Sequence, residues 1–186
     1  MSRILWFALL PMMPLCALAA TPAQSPEQAA CEVWQRELTF ARSVQQHDAA
    51  AFAGHVRRDA IFDANTARPT RGADAIARHW AAIIDGKTVH LSWYPQQVVA
   101  SADGTLAYSS GTYLLEDPAP AAKPRYTIGQ FATVWQRGSD RVWRVAFDGG
   151  DSGRPVGNAD AAAFRARRRE RCPGAVGAGL PTILHR

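Results

Sequence analysis

Two periods divide this chain. From Ser25 to Asp85 apolar residues recur every three or four positions, and from Thr88 to Asp148 they alternate with polar ones, so helices come first and strands later. Ser25-Pro26-Glu27-Gln28 offers an N-cap, a Pro at the first helical position and a capping-box Gln. Ala30, Val33, Trp34, Ala41 and Val44 follow at helical spacing, which predicts a first helix to about Gln46. Asp48 is placed to cap a short second helix through Phe52 to Val56, and Ala60-Ile61-Phe62 reads as a brief strand. Beyond a Pro/Gly loop over 64–72, Ile76, Trp80 and Ile83 share one side of a third helix from Ala73 to Asp85, stopped by Gly86.

Strands are expected near 88–100, 105–116, 126–136 and 141–148. Asp103-Gly104 and Gly138-Ser139-Asp140 supply turn chemistry between them, and 118–124 is a longer polar link. Helices followed by a run of antiparallel strands define an α+β fold.

The last hairpin is the most specific stretch: Gly129, Phe131, Val134-Trp135, a polar turn, Val142-Trp143-Arg144-Val145, then Asp148-Gly149-Gly150. Together with Asp48, Asp59-Ala60, Gly72 before Ala75-Ile76, Leu91-Ser92-Trp93 with Pro95, and Gly111-Thr112-Tyr113, it resembles SnoaL-like, DUF4440-type domains of the nuclear transport factor 2-like superfamily. The resemblance implies a cone in which a curved antiparallel sheet wraps about three N-terminal helices and encloses a cavity.

Ketosteroid isomerases of that superfamily use an oxyanion-stabilising Tyr, a base Asp and a protonated Asp. The aligned positions here hold Phe40, Ala64 and Ala132, which argues against that isomerase mechanism, since proton abstraction needs a base and an oxyanion donor within reach. Asp63 substitutes for the base only if its strand is shifted by one residue.

The same alignment places Val33, Glu37, Phe40 and Val44 on the inward stripe of helix one and His79 on the inward side of helix three. On the sheet, one parity sends His90, Ser92 and Tyr94 inward with Ser109, Gly111, Tyr113, Gln130, Ala132 and Val134; the opposite parity of the first long strand buries Val89, Leu91 and Trp93 instead. The first parity is the expected one. The expected ligand pocket is therefore Val33, Phe40, Val44, His79, His90, Tyr94, Tyr113, Gln130 and Val134. Glu37 and His79 form a candidate base and orienter, set against the plainer reading of a solvated carboxylate and an exposed helix His. No metal site or cofactor is expected: His90 has no second ligand at suitable spacing, and Gly149-Gly150 opens no helix.

Arg3, the apolar run from Ile4 to Leu18 and Ala17-Leu18-Ala19 read as a signal peptide cut after about Ala19, giving an exported, periplasmic or secreted protein. The run is shorter than the ~20 apolar residues of a spanning helix and contains Pro11 and Pro14, so stable membrane insertion is not expected after cleavage. Cleavage discards Cys16, leaving Cys31 and Cys172 either bridged in an oxidising compartment or as two free thiols.

The net charge of +5 is a feature of the tail. Residues 20–164 hold 14 Lys+Arg against 15 Asp+Glu, whereas 165–171 hold five Arg and Glu170. That run is either a solvated helical face or an electrostatic contact with an anionic surface. Nucleic acid is not an expected partner, because no stacking platform or groove-reading motif accompanies the run. The expected division is 1–19 signal peptide, 20–152 cone domain and 153–186 basic extension with a loose end.

Three function classes follow. The first is a domain that binds an apolar or weakly polar small molecule in its cavity. The second is an isomerase, cyclase or hydrolase with relocated acid/base groups. The third is an interaction module that uses the outer sheet face, for a twin copy or another partner.

Overall fold

The computed structural model describes residues 24–173. The expected signal peptide and the end of the tail lie outside the described residues. Helix α1 spans Pro26–Gln45, with Ser25 and Gln28 closing a reciprocal capping box. Asp48 caps α2, Ala49–His55, by accepting from the Ala51 N–H. Strand β1 (Val56–Phe62) begins earlier than the apolar triplet suggested, and the two-residue β2 (Thr70–Arg71) precedes α3, Ala73–Asp85. Gly86 ends α3 at φ 70°, a left-handed position that favours glycine.

The long strands are β3 (His90–Ala100), β4 (Leu106–Glu116), β5 (Tyr126–Arg137) and β6 (Trp143–Gly150). Two further elements follow: β7 (Arg154–Val156) and α4 (Asn158–Ala166). The sheet runs β2-β1-β6-β5-β4-β3, and β7 pairs with β5 beyond the end of β6. All pairs are antiparallel except β1 with β6. The α+β architecture expected from the two periods is therefore present, with one parallel pair in the sheet and a fourth helix.

Helix α1 lies against β3 and sends Ala29, Val33, Phe40, Ala41 and Val44 into a core shared with Phe52, Phe62, Ile76, Trp93, Trp135, Trp143 and Val145. A second cluster joins Trp34 and Leu38 of α1 to Tyr94, Leu114, Ala161 and Phe164, so α4 is held to the body by apolar burial. Cys31 and Cys172 are disulfide-bonded, tying α1 to the segment after α4. The helix ends within the Arg run: Arg165 is in its last turn and Arg167 is its C-cap.

Two bulges decide which residues face inward. In β3, Pro95 pairs with Gly111 and Gln97 with Ser110, leaving Gln96 as an extra residue. In β6, Val145 pairs with Trp135 and Phe147 with Val134, leaving Ala146 extra. Each extra residue reverses the alternation of the strand on either side of it.

These bulges correct the expected parity. Leu91 and Trp93 pack into the core, whereas His90 is exposed and Tyr94 is buried on the other face against Phe164, ring centroids 4.8 Å apart. Val98 and Ala100 do pack inward, so extending their parity backwards without the bulge puts His90, Ser92 and Tyr94 on the wrong face. In β5 the inward residues are Gly129, Phe131, Thr133 and Trp135, paired with Tyr113, Gly111, Ser109 and Ala107. Gln130, Ala132 and Val134 face outward, one residue off the expected register.

Candidate functional site

Between α1, α3 and the inner sheet face lies a cavity of about 260 Å³. Phe40, Trp80, Ile83, Leu91, Trp93, Tyr113, Leu115 and Phe131 form its apolar wall, and Asp63, Asp148 and Asp151 bring carboxyl groups to it. The aromatic part is interlocked: Trp93 meets Phe40 edge-on at 5.2 Å, and Trp80 stacks on Phe52 at 5.2 Å and meets Trp93 at 6.4 Å. Such packing holds the wall in shape without a ligand.

Asp148 owes its inward direction to the bulge at Ala146, since uninterrupted alternation from Val145 would have turned Phe147 inward. Its Oδ2 accepts from the Thr133 hydroxyl at 2.6 Å. Surrounding protein disfavours its charged form and pushes the carboxyl from 3.8 to about 8; Glu37 and Asp63 add repulsion, against the Thr133 hydrogen bond, which lowers it. At neutral pH Asp148 is largely a neutral hydrogen-bond donor.

Asp63 stands in a left-handed conformation at φ 53°, which Asp, like Asn, adopts more readily than other residues with a side chain. Its Oδ2 is 3.4 Å from the Thr70 hydroxyl and 3.8 Å from His79 Nε2, with both side chains about half exposed. Tyr113 donates its hydroxyl to the Asp151 carbonyl at 2.8 Å, and burial followed by the Asp151 charge raises its pKa, so it remains a phenol. The Asp151 side chain is itself occupied by the Gln130 and Gly153 N–H groups.

Glu37 is elsewhere. It is fully buried; its Oε1 accepts from Trp93 Nε1 at 2.7 Å, and its Oε2 accepts from the Ser109 hydroxyl at 2.5 Å and from Trp135 Nε1 at 3.0 Å. Burial raises its pKa and these three donors oppose the rise. Phe40 and Trp93 line the cavity and Glu37 does not. The expected Glu37–His79 pair is not formed, because His79 faces Asp63 while every donor to Glu37 comes from the sheet.

Of the expected pocket residues, Phe40 and Tyr113 line this cavity, and Val33 and Val44 stand behind it in the core. His79 sits at its rim beside Asp63. His90 lies outside, in a surface groove with Val44 and His47. Gln130 and Val134 line a groove on the outer sheet face with Tyr108 and Phe147. Phe40 is in the wall as aligned, but Ala64 and Ala132 line the outer groove, and the acidic residues at the cavity are Asp63, Asp148 and Asp151. The signals for Asp148 were its place at the end of a strand and a Thr at the paired position. Among the described residues no cluster of three or more His, Cys, Asp or Glu is arranged to hold a metal ion, and no helix is long and apolar enough to cross a membrane.

The SnoaL-like domain family model matches residues 38–145, and the chain belongs to that family. Solved structures share its NTF2-like fold. An NTF2-like protein of unknown function from Pseudomonas putida is 15% identical at TM-score 0.57, covering 73% of this chain and 98% of that one. An epoxide hydrolase of the LEH-like type from M. tuberculosis is 14% identical at TM-score 0.51, covering 68% and 81%. A ketosteroid isomerase-like protein from Erwinia carotovora atroseptica is 14% identical at TM-score 0.52, covering 67% and 94%. No curated protein matches the sequence.

Proposed function

We propose that this is an exported domain that binds a small, mainly apolar molecule with one polar end in the inner cavity, and that it does not carry out ketosteroid isomerisation. The observation that carries the reading is an aromatic wall closed by a neutral carboxyl, Asp148, which presents a donor for a carbonyl or hydroxyl oxygen. About 260 Å³ falls below the roughly 300–1,000 Å³ of sites for drug-sized ligands, which favours a one- or two-ring molecule over a steroid. The disulfide supports export, since such bonds persist in oxidising compartments. Saturation-transfer NMR with 2-cyclohexenone and with phenol tests the pocket. Transfer should occur in the native protein and vanish in Phe131→Trp, which fills the cavity, and in Asp148→Leu, which removes the donor. Equal transfer in all three would place the contact elsewhere.

A second reading is acid/base catalysis at the same cavity. Asp63, with His79 and Thr70 beside it, is placed to accept a proton where Asp148 is held neutral, and carboxyls in such different environments suit opposite roles. Turnover of a steroid enone or a small epoxide that is lost in both Asp63→Asn and Asp148→Asn would establish it in place of simple binding.

The outer sheet face supports a homodimer. Val99, Tyr108, Val134, Phe147 and Ile61 are successive cross-strand partners, an apolar row over five strands, and Val99, Tyr108 and Phe147 are 50%, 41% and 46% exposed.

A further inference from the structure

We propose that the arginine-rich segment after α4 forms, with Trp34 and the middle of β3, a binding site for a compact phosphate-type anion carrying an apolar group. A recess of about 480 Å³ lies there, walled on one side by Trp34, Tyr94, Pro95 and Gln96 and on the other by Ala166 and Arg167 to Arg169. The site is separate from the inner cavity, with which it shares no lining residue.

Two observations converge on an anion. Arg167 and Arg169 line the recess with no carboxylate partner among the described residues, whereas Arg165 is paired with Glu116 and Arg168 with Glu170. Adjacent like charges held together repel, and a shared anion relieves that repulsion. Trp34 is 2% exposed, yet its indole N–H has no acceptor among the described residues. An unpaired buried donor costs about 1–3 kcal/mol, and because the nitrogen itself is closed to solvent, a ligand oxygen removes that deficit through a small turn of the indole that opens its N–H to the recess.

The segment is also held in place. Phe164 packs on Tyr94 on one side of the run, Cys172 is bonded to Cys31 on the other, and Gln35 donates to the Glu170 carbonyl at 2.9 Å between them. Anchoring at both ends lowers the entropy lost when the guanidinium groups close on a ligand. The neighbouring carboxylate, Glu170, is occupied by Arg168 at 2.7 Å, with Arg42 at 3.8 Å. Trp34, Tyr94, Pro95 and Ala166 supply the apolar wall for the attached group.

The test follows the indole N–H signal of Trp34, identified by its loss in Trp34→Phe or by backbone assignment if that variant does not fold. Inorganic phosphate and phenyl phosphate are titrated against sodium chloride at matched ionic strength. A saturable shift with phosphate, at least tenfold tighter for phenyl phosphate and at least tenfold weaker in Arg167→Gln/Arg169→Gln, is expected. No shift beyond the chloride control, or an undiminished shift in the double variant, would overturn the site. Co-sedimentation with phosphatidylglycerol vesicles, compared with phosphatidylcholine, separates the sources of the anion. Vesicle binding that phenyl phosphate displaces identifies a lipid headgroup in this recess, and soluble binding without vesicle binding identifies a free phosphate ester. Vesicle binding with an unmoved Trp34 signal would overturn the proposal and leave only surface attraction.

Discussion

Trp93 donates its indole N–H to Glu37 across the core at 2.7 Å, joining the middle of α1 to β3 in a place where neither residue reaches water. Trp135 and Ser109 complete the same carboxylate from β5 and β4, so one helix side chain collects donors from three adjacent strands. This arrangement fixes the helix against the sheet and sets the position of Trp93 and Phe40 in the cavity wall.

Glu37→Ala should therefore be among the most destabilising single changes, because it leaves the buried Trp93 indole and Ser109 hydroxyl without an acceptor and Trp135 with only the Ser109 oxygen at 3.0 Å. A loss of about 3–5 kcal/mol is expected, less than the sum of three separate deletions because the residues can shift toward one another. Glu37→Gln keeps one acceptor but turns an NH₂ group toward donors, and should fall between wild type and Ala. Urea midpoints at one pH decide the order. A Glu37→Ala loss under 1 kcal/mol would show that the network does not hold α1 to the sheet.

What the sequence showed of this site, and what it hid, follows from the two bulges. The inward stripe of α1 was readable because helical period leaves little freedom: Val33, Glu37, Phe40 and Val44 are all buried. Strand period is less secure, since one inserted residue inverts it. Pro95 in Tyr94-Pro95-Gln96-Gln97 marks an edge strand or a bulge without naming the extra residue, and the apolar Phe147 reads as a core residue until Ala146 is seen to turn it out. The outer face adds ambiguity because Tyr108, Val134 and Phe147 make it nearly as apolar as the inner one. Asp63 stands one residue before the aligned Ala64, in a left-handed backbone position, and Asp148 stands not on the strand of the aligned Ala132 but on β6, opposite Thr133 and just past the bulge.

Asp148, partly buried, and His55, buried, should give the stability opposite pH slopes. Asp148 is raised from 3.8 to about 8, so its contribution is complete below pH 4 and is lost as pH rises through 8. His55 is lowered from 6.5 to about 4, by burial first and then by Arg36. Its contribution is complete above pH 6.5 and is lost as pH falls through 4. Glu37, also raised, has the sign of Asp148.

Between pH 6.5 and 8 the His55 contribution is constant, so a decline there isolates the carboxyls. At about 1.4 kcal/mol per pKa unit it should reach ~2 kcal/mol, reduced by the partial access of solvent to Asp148. The decline should shrink in Asp148→Asn and persist in His55→Gln. From pH 6.5 down toward 4 the His55 loss opposes the Asp148 gain, so the native profile should stay near level there and climb as pH falls in His55→Gln. Urea titrations at half-unit intervals read both, and a flat native profile from 6.5 to 8 would contradict the raised Asp148.

The bridge between Cys31 and Cys172 spans 141 residues of sequence. Chain-entropy models assign about 3–5 kcal/mol to a loop of that size, acting chiefly by restricting the unfolded chain. Cys172→Ser should lower the thermal midpoint while leaving the α1–sheet contacts intact, and Cys31→Ser/Cys172→Ser should match it, since both variants open the same loop. Mass mapping under non-reducing conditions should recover the 31–172 crosslink, and recovery of two free thiols would remove this contribution altogether.

The apolar row on the outer face leads to a prediction about assembly. A sheet face that exposes Tyr108 and Phe147 on the two strands flanking β5, with Leu106 also 45% exposed, is an association surface when a second copy can present the same row back to it. A two-fold pairing suits it because each residue of the row then meets its own counterpart or a neighbour, and the flanking ion pairs Arg57–Asp59 and Arg144–Asp140 carry both signs on each copy. Sedimentation velocity should show a concentration-dependent dimer that Phe147→Lys or Tyr108→Lys converts to monomer. Because these side chains are about half exposed, either change should alter the stability of the monomer by only ~0.5 kcal/mol, measured at protein concentrations where dimer is absent. A native protein that stays monomeric at high concentration, or a dimer indifferent to both lysines, would mean that this face is not where two copies meet.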